Sequence, residues 1–335
     1  MTDPLDPHRP DRVRLSVAEA RALGEGALSR LGFSEEEARI IADQLVDNAL
    51  CGYRFAGLPR ILAIADDAKS RAPRRPIHIA HETAATALVD GGNHVGYVAV
   101  YRGMEIAIRK ARESGLAAVG VYDSYYSGRN AYYVERIVEA GLVALHTASG
   151  QPRVLPPGGR RPALGTNPIC FGFPSSRGPV IFDMGTAAMM WGEVLLAART
   201  GEELPEGIGF DAEGNPTRDA GAAAAGGVVP FGGHKGYGLS FAIQALGLLA
   251  GAALARGEPL DYGFLFVAID PGAMLPGNPF AAQMTGLIDA IKAIPTQPGA
   301  GEIRIPGERG LRERERRLSE GILVDRKVVE ALEAL

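Results

Sequence analysis

Between Lys235 and Arg256 the chain carries no charged residue. A segment of that length is long enough to cross a bilayer, and a helix made of it must find an apolar environment somewhere. Its composition decides where. Gly and Ala make up much of it, Ser240 and Gln244 interrupt it, and no second such stretch accompanies it. The expectation is a helix over about 234–255, buried in the protein or in a subunit interface, and no membrane span. Such a helix needs a body to surround it. The 335 residues, 46% hydrophobic and 22% charged, can supply one with two or three subdomains.

The net charge of −4 leaves no basic surplus for binding nucleic acid, so a small molecule is the expected partner. Two cysteines, Cys51 and Cys170, are too few for a disulfide scaffold, which fits a reducing cytoplasm. Residues 1–14 are rich in Pro, Asp and Arg and read as a loose arm, with no signal peptide.

Residues 15–75 read as helical. Ser16 and Ser34 are each followed three residues later by Glu, Glu19 and Glu37, which is the capping-box spacing. Val17, Ala20 and Leu23, then Ile41, Leu45 and Val46, recur at helical intervals, and Gly52 suits a left-handed cap after the second helix. From Thr83 onward short β-rich runs appear: Thr86–Val89, Ala117–Val121, Leu142–Thr147, Ile169–Phe173, Val180–Asp183 and Phe264–Ile269. Helical stretches at Val98–Ser114 and Asn130–Glu139 interrupt them. This spacing predicts a mixed α/β body over 76–299 with a substantial sheet. Ala220–Gly227 reads as a Gly/Ala loop, and Glu308–Glu320, crowded with Arg and Glu, as a solvated helix face in a C-terminal segment, 300–335.

Several chemistries are excluded by absence. No G-x-G-x-x-G, P-loop or G-x-S-x-G is present. His78, His81 and Glu82 lie in a polar, β-like stretch without a third ligand on a supporting helix, so no metal site is expected.

Three segments carry chemistry. Pro230–Gly238 (PFGGHKGYG) is a Gly-rich turn entering the uncharged helix. Its free N–H groups and Lys235 suit an anion such as a cofactor phosphate, although a tight turn needing glycine explains it equally well. Leu164–Pro168 (LGTNP) is followed by Phe182–Thr186 (FDMGT), where a strand ends in Asp and Gly. The backbone can approach a ligand there while the carboxylate accepts ribose hydroxyls. Arg304–Arg309 (RIPGER) is a polar turn near the C-terminus.

Taken together, GTNP (Gly165–Pro168), DMG (Asp183–Gly185), ELPEGIGFDAEGNPTRD (Glu203–Asp219), PFGGHKGYGL (Pro230–Leu239) and IPGE (Ile305–Glu308) resemble the malate/L-lactate dehydrogenase family over nearly the whole chain. That family includes ureidoglycolate dehydrogenase, diketogulonate reductase and piperideine-2-carboxylate reductase. The resemblance implies a non-Rossmann α/β fold: a largely antiparallel sheet with flanking helices, NAD(H) or NADP(H) as cofactor, and an intertwined homodimer. It also implies that 15–75 packs with 300–335. It assigns cofactor contacts to Ser127, Gly128, Asp183, Met184, Gly185, His234, Lys235, Pro306, Gly307 and Glu308, and substrate contacts to Thr166 and the Trp191-Gly192 pair.

The chain departs from the family where the proton donor belongs. Members carry Ser-His-Gly-x-x-Arg after the second helix. Phe55-Ala56-Gly57-Leu58-Pro59-Arg60 stands here, keeping Gly57 and Arg60 but neither Ser nor His. A second family segment, His-Phe-Gly, is replaced by Tyr126-Ser127-Gly128. Glu193 falls where a family reductase has an acidic relay member. Reducing a ketone requires a proton for the alkoxide, worth about 10²–10⁴ in rate, and alanine has none to give. Tyr126 could supply it, as could Glu193 if burial raised its pKa, while Arg60 holds a substrate carboxylate. A protonated imine needs no such donor. The expectation is therefore an NAD(P)H-dependent reductase of an imine or similarly activated double bond. Two readings stand beside it: a 2-hydroxy-acid dehydrogenase using Tyr126 or Glu193, and a cofactor-binding relic whose pocket Phe55 closes. Tyr125, Tyr126, Tyr132 and Tyr133 can equally be packing or interface residues.

Overall fold

A computed structural model describes residues 11–335, except 54–55, 256–257 and 260. Phe55 thus lies outside the described residues, as does most of the expected N-terminal arm. The arm's end is not loose: β1 (Arg12–Leu15) pairs antiparallel with β14 (Ile322–Asp325), because its backbone groups find partners at the far end of the chain.

Both capping boxes are formed. Ser16 opens α1 (Val17–Arg30) and Ser34 opens α2 (Glu35–Leu50), each with its hydroxyl and the following Glu bonded reciprocally. Gly52 takes the left-handed conformation after α2, with φ 94°. Two short helices, α3 (Arg60–Asp66) and α4 (Ala68–Arg71), lead into the sheet.

The sheet contains β2 (His78–Glu82), β3 (Thr86–Val95), β4 (Leu116–Tyr125), β5 (Val143–Ser149), β6 (Ile169–Phe173), β7 (Val180–Met184) and, far along the chain, β13 (Gly263–Ile269). Its order is β2-β3-β4-β13-β5-β6-β7. Only β3 and β4 run parallel, joined by α5 (Gly96–Ser114); every other pair is antiparallel. Side chains alternate between faces. One face, with Val119, Val121, Phe264 and Phe266, packs on α5 and α6 (Asn130–Glu139). The other face meets α9 (His234–Leu249), whose Gly247 lies so close to β13 that a Cβ on Gly263 would sit 2.3 Å from the Gly247 carbonyl oxygen.

Between β7 and α9 a small unit holds α7 (Trp191–Thr200), the short strands β8 (Gly209–Phe210) and β9 (Pro216–Thr217), α8 (Ala220–Ala225) and β10 (Gly227–Val228) around Leu204, Ala223 and Val228. The expected loop at Ala220–Gly227 is thus mostly helix. Asp219 caps it through the Ala222 N–H, a signal that glycine-rich composition obscured.

The uncharged helix also differs from expectation. It ends at Leu249, and Leu254–Ala255 forms β11, paired with β12 (Glu258–Pro259). Only one face, with Ser240, Ile243, Gln244 and Gly247, is buried; Phe241 and Leu249 are 61% and 73% exposed. After β13 come α10 (Pro271–Met274), α11 (Phe280–Lys292), α12 (Glu308–Glu320) and α13 (Arg326–Ala334). Helix α12 packs on α2, and α13 on α1. No residue of α12 is buried, yet Arg314 and Arg317 reach Asp47 and the Ala49 carbonyl on α2.

Candidate active site

The corner that holds Ala56, Arg60 and Tyr126 is built from α3 and the end of β4. Arg60 begins α3, and its guanidinium carbon lies 5.6 Å from the centre of the Tyr126 ring. Ala56, half-buried in the preceding turn, offers its carbonyl to Asn48 Nδ2 at 3.0 Å. Tyr126 sits at φ 49°, which turns its ring out of the strand. The following residues hold that turn in place. The Ser127 carbonyl accepts from Gln44 Nε2 at 2.8 Å and from the Tyr133 hydroxyl at 2.7 Å. A Cβ on Gly128 would lie 2.6 Å from both Gln44 Nε2 and the Tyr97 ring, so only glycine fits.

Tyr126 is half-buried and meets Tyr125 and Tyr262 edge-on, at 5.6 and 6.3 Å between ring centres. Burial, and then the Asp67 carboxylate beside it, push its phenol above the ordinary value; the charges of Arg60 and Arg153 pull the other way. The hydroxyl therefore carries its proton throughout the neutral range. Tyr125, Tyr132 and Tyr133 are buried, and their hydroxyls are bonded to Ser70, Asp43 and the Ser127 carbonyl respectively.

A second cluster joins three of the sequence motifs. The Thr166 carbonyl accepts from Thr186 N at 2.8 Å, and the Thr186 carbonyl from Phe231 N at 2.9 Å. Asn167, buried at φ 35°, donates to the Ser240 carbonyl at 2.9 Å and to Gln244 Oε1 at 3.0 Å on α9. Thr166, the end of β7 at Met184–Gly185 and the Gly-rich turn thus form one continuous wall. That turn has Gly232 and Gly233 at φ 55° and 61°, and His234 and Lys235 stand exposed on the first turn of α9. N–H groups of an opening helix beside an ammonium suit a phosphate.

The third cluster lies along β7. Gly307, at φ 90°, rests on the Ile181 carbonyl, which fixes the Pro306-Gly307-Glu308 turn against the strand. Glu308 is held in that turn by Ile305 N and Lys292. A cleft of about 130 Å³ opens there, lined among others by Asp183, Arg129, Tyr53, Pro306, Gly307 and Arg309. Asp183 Oδ2 accepts the Ala131 N–H at 2.8 Å, at the start of α6. Burial outweighs that bond and the Arg129 charge, and raises the carboxyl to about 6. Arg129 itself is bound to Asp47 at 2.5 Å and to Glu135 at 3.3 Å.

The remaining sequence candidate lies on the first turn of α7. Glu193 is exposed on α7, where its carboxylate caps Met190 N at 3.2 Å. Trp191, in contrast, carries the Arg153 guanidinium over its ring at 4.8 Å. Asp67, Arg153 and Tyr262 were not singled out from the sequence. No spacing marks them, since each reaches Tyr126 only through the tertiary fold. His78 and His81 are exposed on β2, and among the described residues no group of three or more metal-ligating side chains comes together.

A parallel pair within an otherwise antiparallel sheet, with a phosphate-suited helix start and no dinucleotide fingerprint, defines a non-Rossmann α/β fold. The malate/L-lactate dehydrogenase family model matches residues 15–333, and the chain belongs to that family. It is 39% identical to the L-sulfolactate dehydrogenase of Methanothermobacter thermautotrophicus, over 96% of this chain and 95% of that one. It is 36% identical to the Delta(1)-pyrroline-2-carboxylate reductase of Ancylobacter novellus, over 96% and 97%. Among solved structures, delta1-piperideine-2-carboxylate reductase from Pseudomonas syringae superposes with a TM-score of 0.85 at 30% identity, covering 96% of this chain and 99% of that one. The protein is accordingly an oxidoreductase acting on a small molecule.

Proposed function

We propose that this chain is an NAD(H)- or NADP(H)-dependent reductase of an imine, or a similarly activated double bond, in a small 2-imino- or 2-oxo-acid-like substrate. The observation that carries the reading is the corner itself: Ala56 where a proton donor would stand, with Arg60 kept beside Tyr126. The guanidinium suits a substrate carboxylate. Hydride addition to a protonated imine gives a neutral amine, so the missing donor is no obstacle. The pyrroline- and piperideine-carboxylate reductase relatives support this choice by name.

The chain's own residues fit the cofactor. The exposed N–H groups before α9 and Lys235 suit its phosphates, while the Asp183 and Gly307 cleft offers a carboxylate and close backbone approach. When bound, the reduced nicotinamide supplies the hydride. Thr166, Arg60 and Tyr126 would orient the substrate, and Ser127 and Gly128 hold the turn beneath it.

A second reading rests on Tyr126. Its protonated phenol beside Arg60 could replace the family histidine and support a 2-hydroxy-acid dehydrogenase, in line with the sulfolactate dehydrogenase relatives. Loss of reduced-cofactor absorbance across cyclic imino acids and 2-oxo acids separates the two. Faster turnover of imino acids supports the first reading, and brisk oxidation of malate or lactate would overturn it. Failure of both NADH and NADPH to raise the melting temperature would remove the oxidoreductase altogether.

We place the protein in the cytoplasm as a homodimer. The free, buried Cys51 and Cys170 support the first, and the exposed apolar face of α9 the second. No helix among the described residues is long and apolar enough to cross a membrane.

A further inference from the structure

Arg153 stands next to the proposed substrate position and has no acidic partner there. Its backbone N–H bonds the Leu164 carbonyl at 2.7 Å, two residues before Thr166. Its carbonyl accepts from Val228 N at 3.0 Å, just ahead of the Gly-rich turn. The backbone is thereby fixed between these two segments, and the side chain lies over Trp191 with its Nη1 donating to the Pro152 carbonyl at 3.2 Å. Among the described residues no carboxylate pairs with it. The guanidinium is half-buried, and its remaining N–H donors are open to solvent and available to an anion.

The carboxylate-binding corner lies within electrostatic reach of this group. The Tyr262 ring covers Gly150, where a Cβ would lie 2.9 Å from it, and meets Tyr126 edge-on, which in turn carries Arg60. The charges of both arginines are felt at Tyr126 and at Tyr262. One carboxylate, Asp67, opposes them at Tyr126, and one of its oxygens is taken by Lys69 N at 2.8 Å. Lys69 and Asp261 compensate each other nearby at 2.9 Å. Two guanidinium charges thus act on Tyr126 against the one carboxylate.

We propose that Arg153 is a specificity-determining residue that binds a second anionic group on the substrate, a carboxylate or sulfonate, while Arg60 binds the carboxylate beside the reacting carbon. This rests on the reductase reading above and narrows it to dianionic substrates.

The test compares substrates in matched pairs, with the reduced cofactor present. The dianions are 2-oxosuccinate, 3-sulfopyruvate and a cyclic imino acid with two carboxylates; the monoanions are pyruvate, 2-oxobutanoate and a cyclic imino acid with one. Wild type is expected to prefer the dianion of each pair. In Arg153→Gln the dianion-to-monoanion ratio of kcat/KM should fall about 10- to 100-fold, as for loss of one charge-assisted hydrogen-bonded contact. Arg153→Lys should restore part of it. Arg60→Gln should lower both classes together. Sulfonate and carboxylate preferences within the dianions identify the group bound.

A purely structural Arg153 would lower both classes equally, leave the ratio unmoved, and overturn the proposal. Binding is read separately, as the rise in melting temperature on adding each anion to protein and reduced cofactor. A dianion-specific rise, lost in Arg153→Gln, without turnover of any substrate would keep the anchor and remove the reductase. Turnover with no dianion preference in rate or in melting would do the reverse.

Discussion

Tyr126 holds a left-handed backbone angle that side-chain-bearing residues rarely adopt, and the bonds around Ser127 and Gly128 maintain it. Its replacement is therefore informative. Tyr126→Phe keeps the ring and removes the proton. Turnover of 2-oxo acids should drop by about 10²–10⁴, while protonated imines should change by no more than about threefold. Steady-state rates on the two classes check this. Because the phenol is pushed above its ordinary value, the 2-oxo-acid rate should stay level through neutral pH and decline only above about pH 10. Asp183 titrates with the opposite consequence for the fold. Its carboxyl is raised to about 6, so the folded chain binds that proton more tightly than the unfolded chain does. Asp183→Asn should melt higher than wild type above pH 6, with the gap closing as pH falls toward 4, while cofactor binding weakens. Thermal melts of both proteins across that range decide it. At this scale the sequence drew notice to Thr166 and Asp183 through short motifs, and the roles given to them remain part of the proposal. The sequence was silent on Asp67, Arg153 and Tyr262, whose meeting depends on three separate elements.

The elements were readable wherever a local signal dominated. Hydroxyl-to-Glu spacing located α1 and α2, and β-branched runs marked the cores of β4, β6, β7 and β13. Ser34→Ala should cost about 1 kcal/mol by removing the cap bond to Glu37 N, measurable in urea unfolding. Legibility failed where tertiary pairing overrode composition. Strand β3 continues to Val95 beyond the expected Val89, crossing an irregularity at Gly91, Gly92 and Asn93 and resuming its pairing with β4 at His94. The charged α12 illustrates a second gap. Its surface character was plain, yet the pattern gave no hint that Arg314 spans Asp47 on α2 and Glu135 on α6. Arg314→Met should destabilise by about 1–3 kcal/mol, since Arg129 still holds both carboxylates after the change. Chemical denaturation would show it.

For the whole molecule the uncharged helix matters most. Its exposed face carries Phe241 and Leu249, and Leu195 and Leu196 of α7 are likewise 39% and 51% exposed. Phe241→Glu together with Leu249→Glu should convert the proposed dimer to monomer in sedimentation experiments, and a wild type that sediments as a monomer would refute the dimer. The order of the central sheet has a different kind of consequence. Strand β13 lies between β4 and β5, so two strands adjacent in synthesis stay apart until a segment made much later is inserted between them. Strands β1 and β14 likewise join the two ends of the chain. A nascent chain released before residue 263 therefore exposes two open sheet edges and the apolar face meant for Phe264 and Phe266. Such fragments should aggregate, and folding of the complete chain should be slow, because most of the sheet's closure waits for the last quarter of the protein to leave the ribosome.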